Sequence, residues 1–200
     1  NGKAMVDTPP SSLFLRLLMV SYFCAGVGYV VTTTFIVAII EQLPGLEGKG
    51  IWTFMIIGLA ATPAAILWDL FARRFGNLNA LICASGLQII GILLPVIGTG
   101  LFWTILGAIL FGGTVVGMVS LVLTMAGRYY PTRPAKMMGK MTLSYGAAQI
   151  VAPAVTGLLA ERNGNYNNGL YLAAATMVLG TIILLILKVI ENREEKCRNH

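Results

Sequence analysis

The chain holds 200 residues, of which 56% are apolar and only 11% charged, with a formal net charge of +6. A soluble domain carries about 25% charged residues, and one of this length could not bury several apolar runs of about 20 residues, the length that spans a bilayer. Composition therefore excludes a soluble protein and predicts an all-α membrane protein; the short alternating strands of a closed barrel are absent.

The first residues, NGKAMVDTPPSS (1–12), are polar and read as a cytoplasmic linker, the end of a central loop belonging to something longer. A bundle of six transmembrane helices over 13–190 is predicted next, with spans at about 13–41, 50–70, 78–97, 101–127, 138–161 and 168–190. The breaks between them carry ordinary turn chemistry: QLPGLEGKG, RRFGN, GTG, RYYPTRPAK and RNGNYNNG. Residues 191–200, ENREEKCRNH, read as a cytoplasmic tail that is a solvated, mixed-charge helix end.

If the six spans alternate, all the lysines and arginines except Lys49 and Arg162 fall on one side. This is the positive-inside bias, and it predicts that both termini are cytoplasmic. The basic charge is accounted for by topology and anionic lipid, so no nucleic-acid partner is called for.

Polar residues in the spans fall into stripes. In the first, Tyr22, Tyr29 and Thr33 share a helical face with Thr32 at its edge. In the fourth, Gly113, Gly117, Ser120 and Thr124 line up with Thr114 adjacent; in the fifth, Thr142, Tyr145, Gln149, Pro153 and Thr156 do so. Hydroxyl, amide and aromatic groups set in apolar walls suit a mostly neutral or amphipathic small molecule. Each stripe also has a plainer explanation. Gly107, Gly112, Gly113 and Gly117 let helices approach, Ser and Thr bond back to their own helix, and a buried Tyr29 or Gln149 needs a partner but not a substrate. Gln88 and Ser85, mid-span, read as helix–helix bonding.

Between the second and third spans stands WDLFARRFG, where Asp69 and Arg73 are four apart and can pair on one helical face. Aligned on its acid, AILWDLFARR resembles the Gly-x-x-x-Asp-Arg-x-Gly-Arg-Arg loop signature of the major facilitator superfamily. Asp69, Arg73 and Arg74 match, while Ala65, Leu70 and Ala72 depart from it; a second register sets FARRFG against LADRFG. In the fifth span, Gly146, Ala152, Pro153 and Gly157 resemble the Gly/Pro-rich packing helix of these transporters. With GVGYVVTTTFIVAI and LQIIGILLP, nearly the whole chain resembles the bacterial YbfB/YjiJ-type branch.

The resemblance implies the carboxyl-terminal six helices of a twelve-helix secondary transporter, built as two inverted three-helix repeats and working by alternating access. It further implies that the first and fourth spans line the cavity, that the second and fifth flank it, and that the third and sixth face lipid. Asp69, Arg73 and Arg74 would then act on conformation, and the substrate-cavity candidates are Tyr22, Tyr29, Thr32, Thr33, Thr114, Ser120, Thr124, Tyr145 and Gln149. The implied location is a bacterial inner membrane. The implied partners are lipid, a small-molecule substrate and the amino-terminal half or a second chain. Two other expectations stand beside this one: a free-standing half-size protein that dimerises, and a non-transporting scaffold or receptor.

Absences narrow the chemistry. No Asp, Glu, Lys, Arg or His lies mid-span, where such a group tends to mark an ion or proton site. A coupling acid is expected in the other half, or else at Glu41 by the outer mouth. His200 is the one histidine, and Cys24, Cys83 and Cys197 are far apart in sequence, so no metal centre, cofactor or catalytic pair is expected. A phosphate-binding Gly-rich loop is also missing. The chain is not expected to be an enzyme.

Overall fold

Ser11 opens the bundle, its side chain accepting from the backbone N–H of Phe14 at 3.3 Å and so capping the first helix. In the computed structural model, residues 6–98, 100–163 and 167–198 are described. They form seven helices: α1 (Ser12–Glu41), α2 (Gly50–Ala61), α3 (Ala64–Phe75), α4 (Asn77–Ile97), α5 (Leu101–Tyr129), α6 (Pro134–Asn163) and α7 (Asn167–Arg198). Five are long and apolar enough to cross a membrane, and α2 with α3, bent by 43° at their junction, makes a sixth if the pair is counted as one span. Among the described residues there is no strand.

The stretch expected as one span at 50–70 is therefore two helices. Pro63 has no N–H to give the Leu59 carbonyl, and its ring crowds the preceding turn. Thr62 repairs part of the loss: its N–H reaches the Leu59 carbonyl at 3.3 Å and its hydroxyl reaches the Gly58 carbonyl at 3.2 Å. Pro95 and Pro153, by contrast, lie inside continuous helices. α7 runs on into the tail segment as far as Arg198.

Small residues set the packing. Gly28 of α1 lies against Met177 of α7, and the Ser21 hydroxyl donates to the Gly180 carbonyl at 3.0 Å, so these helices run antiparallel. Gly91 and Gly107 bring α4 and α5 together antiparallel; a Cβ on Gly91 would stand 2.7 Å from the Phe111 nitrogen. Gly112 faces the backbone of Ile57 in α2, and Gly117 faces the Trp68 ring in α3. The Ser85 and Thr181 hydroxyls meet at 2.9 Å between α4 and α7.

The pairing of α1 with α6 is parallel. The Ser144 hydroxyl of α6 donates to the Met19 carbonyl of α1 at 2.9 Å, and further along Ala148 meets Gly26. Because the helices alternate, the start of α1, the end of α3 and the α5–α6 turn share one end of the bundle. There Phe14 and Tyr129 pack edge to face, 6.0 Å between centroids. α6 is the least covered helix: 22% of its apolar stretch is buried, against 56% for α1 and α5.

Candidate functional site: an aromatic seam between α1 and α6

Three of the sequence candidates meet. Tyr145 of α6 lies between Tyr22 and Tyr29 of α1, its ring 4.6 Å from the first and 6.0 Å from the second, at 32° and 28° between planes. The cause is local: Tyr22 and Tyr29 are seven residues, two turns, apart on one face, and Gly26 between them admits α6. A Cβ on Gly26 would stand 2.9 Å from the Tyr145 carbonyl oxygen and 2.9 Å from the Ala148 Cβ. Tyr22 and Tyr145 are buried and Tyr29 is half-buried, so the stack runs from the core to an accessible edge. Gln149, one turn beyond Tyr145, is also half-buried. Such a seam offers ring faces for stacking together with phenol and amide groups that both donate and accept.

The hydroxyls of the threonine candidates turn back on their own helices. Thr32 donates to the Gly28 carbonyl at 2.8 Å, and Thr33 to the Tyr29 carbonyl at 3.0 Å. Thr114 donates to the Leu110 carbonyl at 2.8 Å, and Thr142 to the Met138 carbonyl at 3.0 Å. Ser120 and Thr124 are half-buried on α5. Gly146, Pro153 and Gly157 lie on half-buried parts of α6, and an added Cβ at either glycine would meet nothing within 4 Å. Among the described residues, nothing packs on those glycines.

In the charged box, Arg73 Nε donates to Asp69 Oδ2 at 2.8 Å, a pair within one helix. Arg74 lies over the Phe75 ring, 5.5 Å from its centroid. The contact that holds this end of α3 to its neighbour is a different residue: Trp68 Nε1–H donates to the Gly113 carbonyl at 2.7 Å, across to α5. Sequence reading missed Trp68, although a buried indole needs an acceptor. It also missed Ser144, whose partner lies 125 residues away. Gln88 differs from expectation as well: its Oε1 is buried and unbonded among the described residues, and Ser85 makes the interhelix bond instead.

Glu41 is committed structurally. Its carboxylate accepts from the N–H of Gly48 at 2.6 Å and from that of Gly50 at 2.9 Å, closing the α1–α2 turn onto the start of α2. Among the described residues, no group of three or more His, Cys, Asp or Glu could hold a metal ion.

The chain is a bundle of apolar helices of membrane-spanning length with an aromatic and polar seam between α1 and α6. The family described as "Uncharacterised MFS-type transporter YbfB" matches residues 3–185, and the chain belongs to that family. The chain is 25% identical over 222 residues to the probable sulfoacetate transporter SauU of Cupriavidus necator. That match covers 96% of this chain and 48% of the relative, so the chain spans about half the length of that protein.

Among solved structures, the fold resembles the in meso crystal structure of the POT family transporter PepTSo. The TM-score is 0.76 at 15% identity, covering 89% of this chain and 38% of that one. An auto-inhibited POT family peptide transporter gives a TM-score of 0.66 at 14% identity, covering 88% and 37%.

Proposed function

We propose that the chain is the carboxyl-terminal half of a secondary transporter. It would move a small solute by alternating access, with Tyr22, Tyr29, Tyr145 and Gln149 forming its share of the central site. The observation that carries this reading is the tyrosine stack, which grades from buried to accessible beside a strip of α6 left open at Gly146 and Gly157. A second set of helices docking on that strip would enclose the accessible edge. Arrangement as two inverted three-helix repeats and cytoplasmic termini belong to the same proposal, supported by the one-sided distribution of lysine and arginine.

The chemistry of the seam favours a neutral or amphipathic solute with a flat or apolar part. A small organic anion, the class named for the curated relative, is the second reading. It would need cations contributed from outside this chain, since no Lys or Arg lies mid-span.

Two measurements test the proposal. The intact mass of the native polypeptide should be about twice that of this chain; a mass equal to this chain's would replace the proposal with a dimerising half-size protein. In proteoliposomes, Tyr29→Phe and Gln149→Ala should each weaken substrate binding about tenfold, the loss expected for a buried hydrogen bond and its unpaired partner. Unchanged affinity in both variants would remove the seam from the site.

A further inference from the structure

Outside the seam, three cations gather where the first described residues cross the α5–α6 turn. The Asp7 carboxylate accepts from the Thr132 N–H at 3.0 Å, and from the Thr132 hydroxyl at 2.8 and 2.7 Å. The Thr8 N–H reaches the Tyr129 carbonyl at 3.1 Å. These bonds hold the leading segment as a strap over the turn. Under it lies a cavity of about 210 Å³ lined by Asp7, Tyr130, Arg133, Lys136, Met137 and Lys140.

The wall is mismatched in charge: three cations stand against one carboxylate, a net of +2. That carboxylate is occupied. The Thr132 N–H and hydroxyl, with Arg133 nearby, hold Asp7 below the ordinary carboxylate range and therefore charged. The close ion pairs among the described residues are Asp69–Arg73 and Lys188–Glu191; Arg133 acts on Asp7 from a distance without pairing with it, and neither Lys136 nor Lys140 makes a close ion pair.

The surroundings say what kind of anion fits. Along α6, Lys136, Lys140, Leu143, Ala147 and Ile150 follow at steps of four and three residues and are all exposed, Leu143 at 75% and Ile150 at 79%. At about 3.6 residues per turn this stripe lies roughly opposite Tyr145, away from the seam. It is cationic at the end of the bundle and apolar along the span. Met137 and Tyr130 give the cavity an apolar side between the two.

We infer that the cavity under the Asp7–Thr132 strap binds the phosphate of an anionic phospholipid, held by Arg133, Lys136 and Lys140, with an acyl chain lying along Leu143 and Ile150. A free phosphate would use the cations but not the apolar stripe. Basic recesses at helix ends beside the bilayer hold anionic head groups by this combination of charge and apolar contact. The site is independent of the solute seam and does not rest on the proposed transport cycle.

The test is native mass spectrometry of the full-length protein in detergent, titrated with phosphatidylglycerol or phosphatidylcholine, with inorganic phosphate in a third arm. Phosphatidylglycerol should be retained in preference to phosphatidylcholine. Lys136→Gln should weaken its retention about fivefold and Lys136→Gln/Lys140→Gln about 25-fold, from roughly 1 kcal/mol per interfacial cation. Arg133→Gln, changing an exposed turn residue, should match the single-lysine loss if the double variant fails to fold. Lys136→Arg/Lys140→Arg should keep the lipid, and removing two cations elsewhere at the same end, Arg73→Gln/Arg74→Gln, should leave retention unchanged. Equal retention of both lipids, or retention unaffected by the lysine substitutions, overturns the inference. Displacement of phosphatidylglycerol by millimolar phosphate overturns it in favour of a free-anion site.

Discussion

Along α5, Gly112 and Gly117 admit the backbone of Ile57 and the ring of Trp68, whereas along α6 Gly146 and Gly157 have no atom within 4 Å of where a Cβ would stand. The residue type is the same and the physical situation is opposite. On α5 the glycine is the contact, because any side chain would displace a neighbouring helix. On α6 it leaves room that no described residue fills. A glycine pattern in a membrane helix thus marks close approach only when the approaching surface is identified.

Substitution at the two sets should separate them sharply. Gly112→Ala puts a methyl into the Ile57 backbone, and overpacking of that kind costs about 1–3 kcal/mol. Gly146→Ala should leave the stability of the six helices unchanged or raise it by up to about 1 kcal/mol through helix propensity. Thermal unfolding in detergent reads both, and a similar fall for the two variants would break the comparison.

The seam beside α6 gives the next effect. Tyr145→Ala should cost about 3–5 kcal/mol as a buried aromatic lost from between Tyr22 and Tyr29. Tyr145→Phe keeps the stack and should stay within about 1.5 kcal/mol of wild type, losing at most one hydrogen bond.

The polar contact between α4 and α7 is smaller. Ser85→Ala removes the bond to Thr181, which keeps its own bond to the Met177 carbonyl at 2.8 Å. A loss of about 0.6 kcal/mol is expected, and a loss above 2 kcal/mol would show that the pair carries more than a membrane hydroxyl contact does.

Smallest of all is Asp69→Asn. Arg73 is 68% exposed, so breaking the pair should change stability by no more than about 0.5 kcal/mol. On the proposed alternating-access reading, any larger effect should appear in the inward/outward balance, read by accessibility labelling on the two sides of the membrane.

What sequence could reveal divides along physical lines. Apolar runs and turn residues mark helices because those signals are local. Two of the tyrosines share a face because helical spacing is fixed. That Tyr145 joins them, rather than some other ring, depends on α1 and α6 lying parallel, which no window of sequence encodes. The break at Thr62–Pro63 was visible as a proline, yet Pro153 sits in a continuous α6, so the residue alone did not decide. The Ser144–Met19 and Asp7–Thr132 bonds each close 125 residues of chain, and their residue types have no spacing to betray them. Thr32, Thr33 and Thr114 were legible as polar but not as satisfied.

The bend between α2 and α3 carries one more implication. In an unbroken helix, bending sacrifices backbone bonds, so stiffness comes from the bonds themselves. Here Pro63 has already removed one donor, and the Thr62 hydroxyl, a side-chain rotor, serves the Gly58 carbonyl in place of a fixed amide. The α2–α3 pair is therefore built as two rods joined at Thr62: Trp68 holds α3 to α5, and Gly112 seats α2. A further change of angle between them would centre on Thr62 and leave both helical ladders closed.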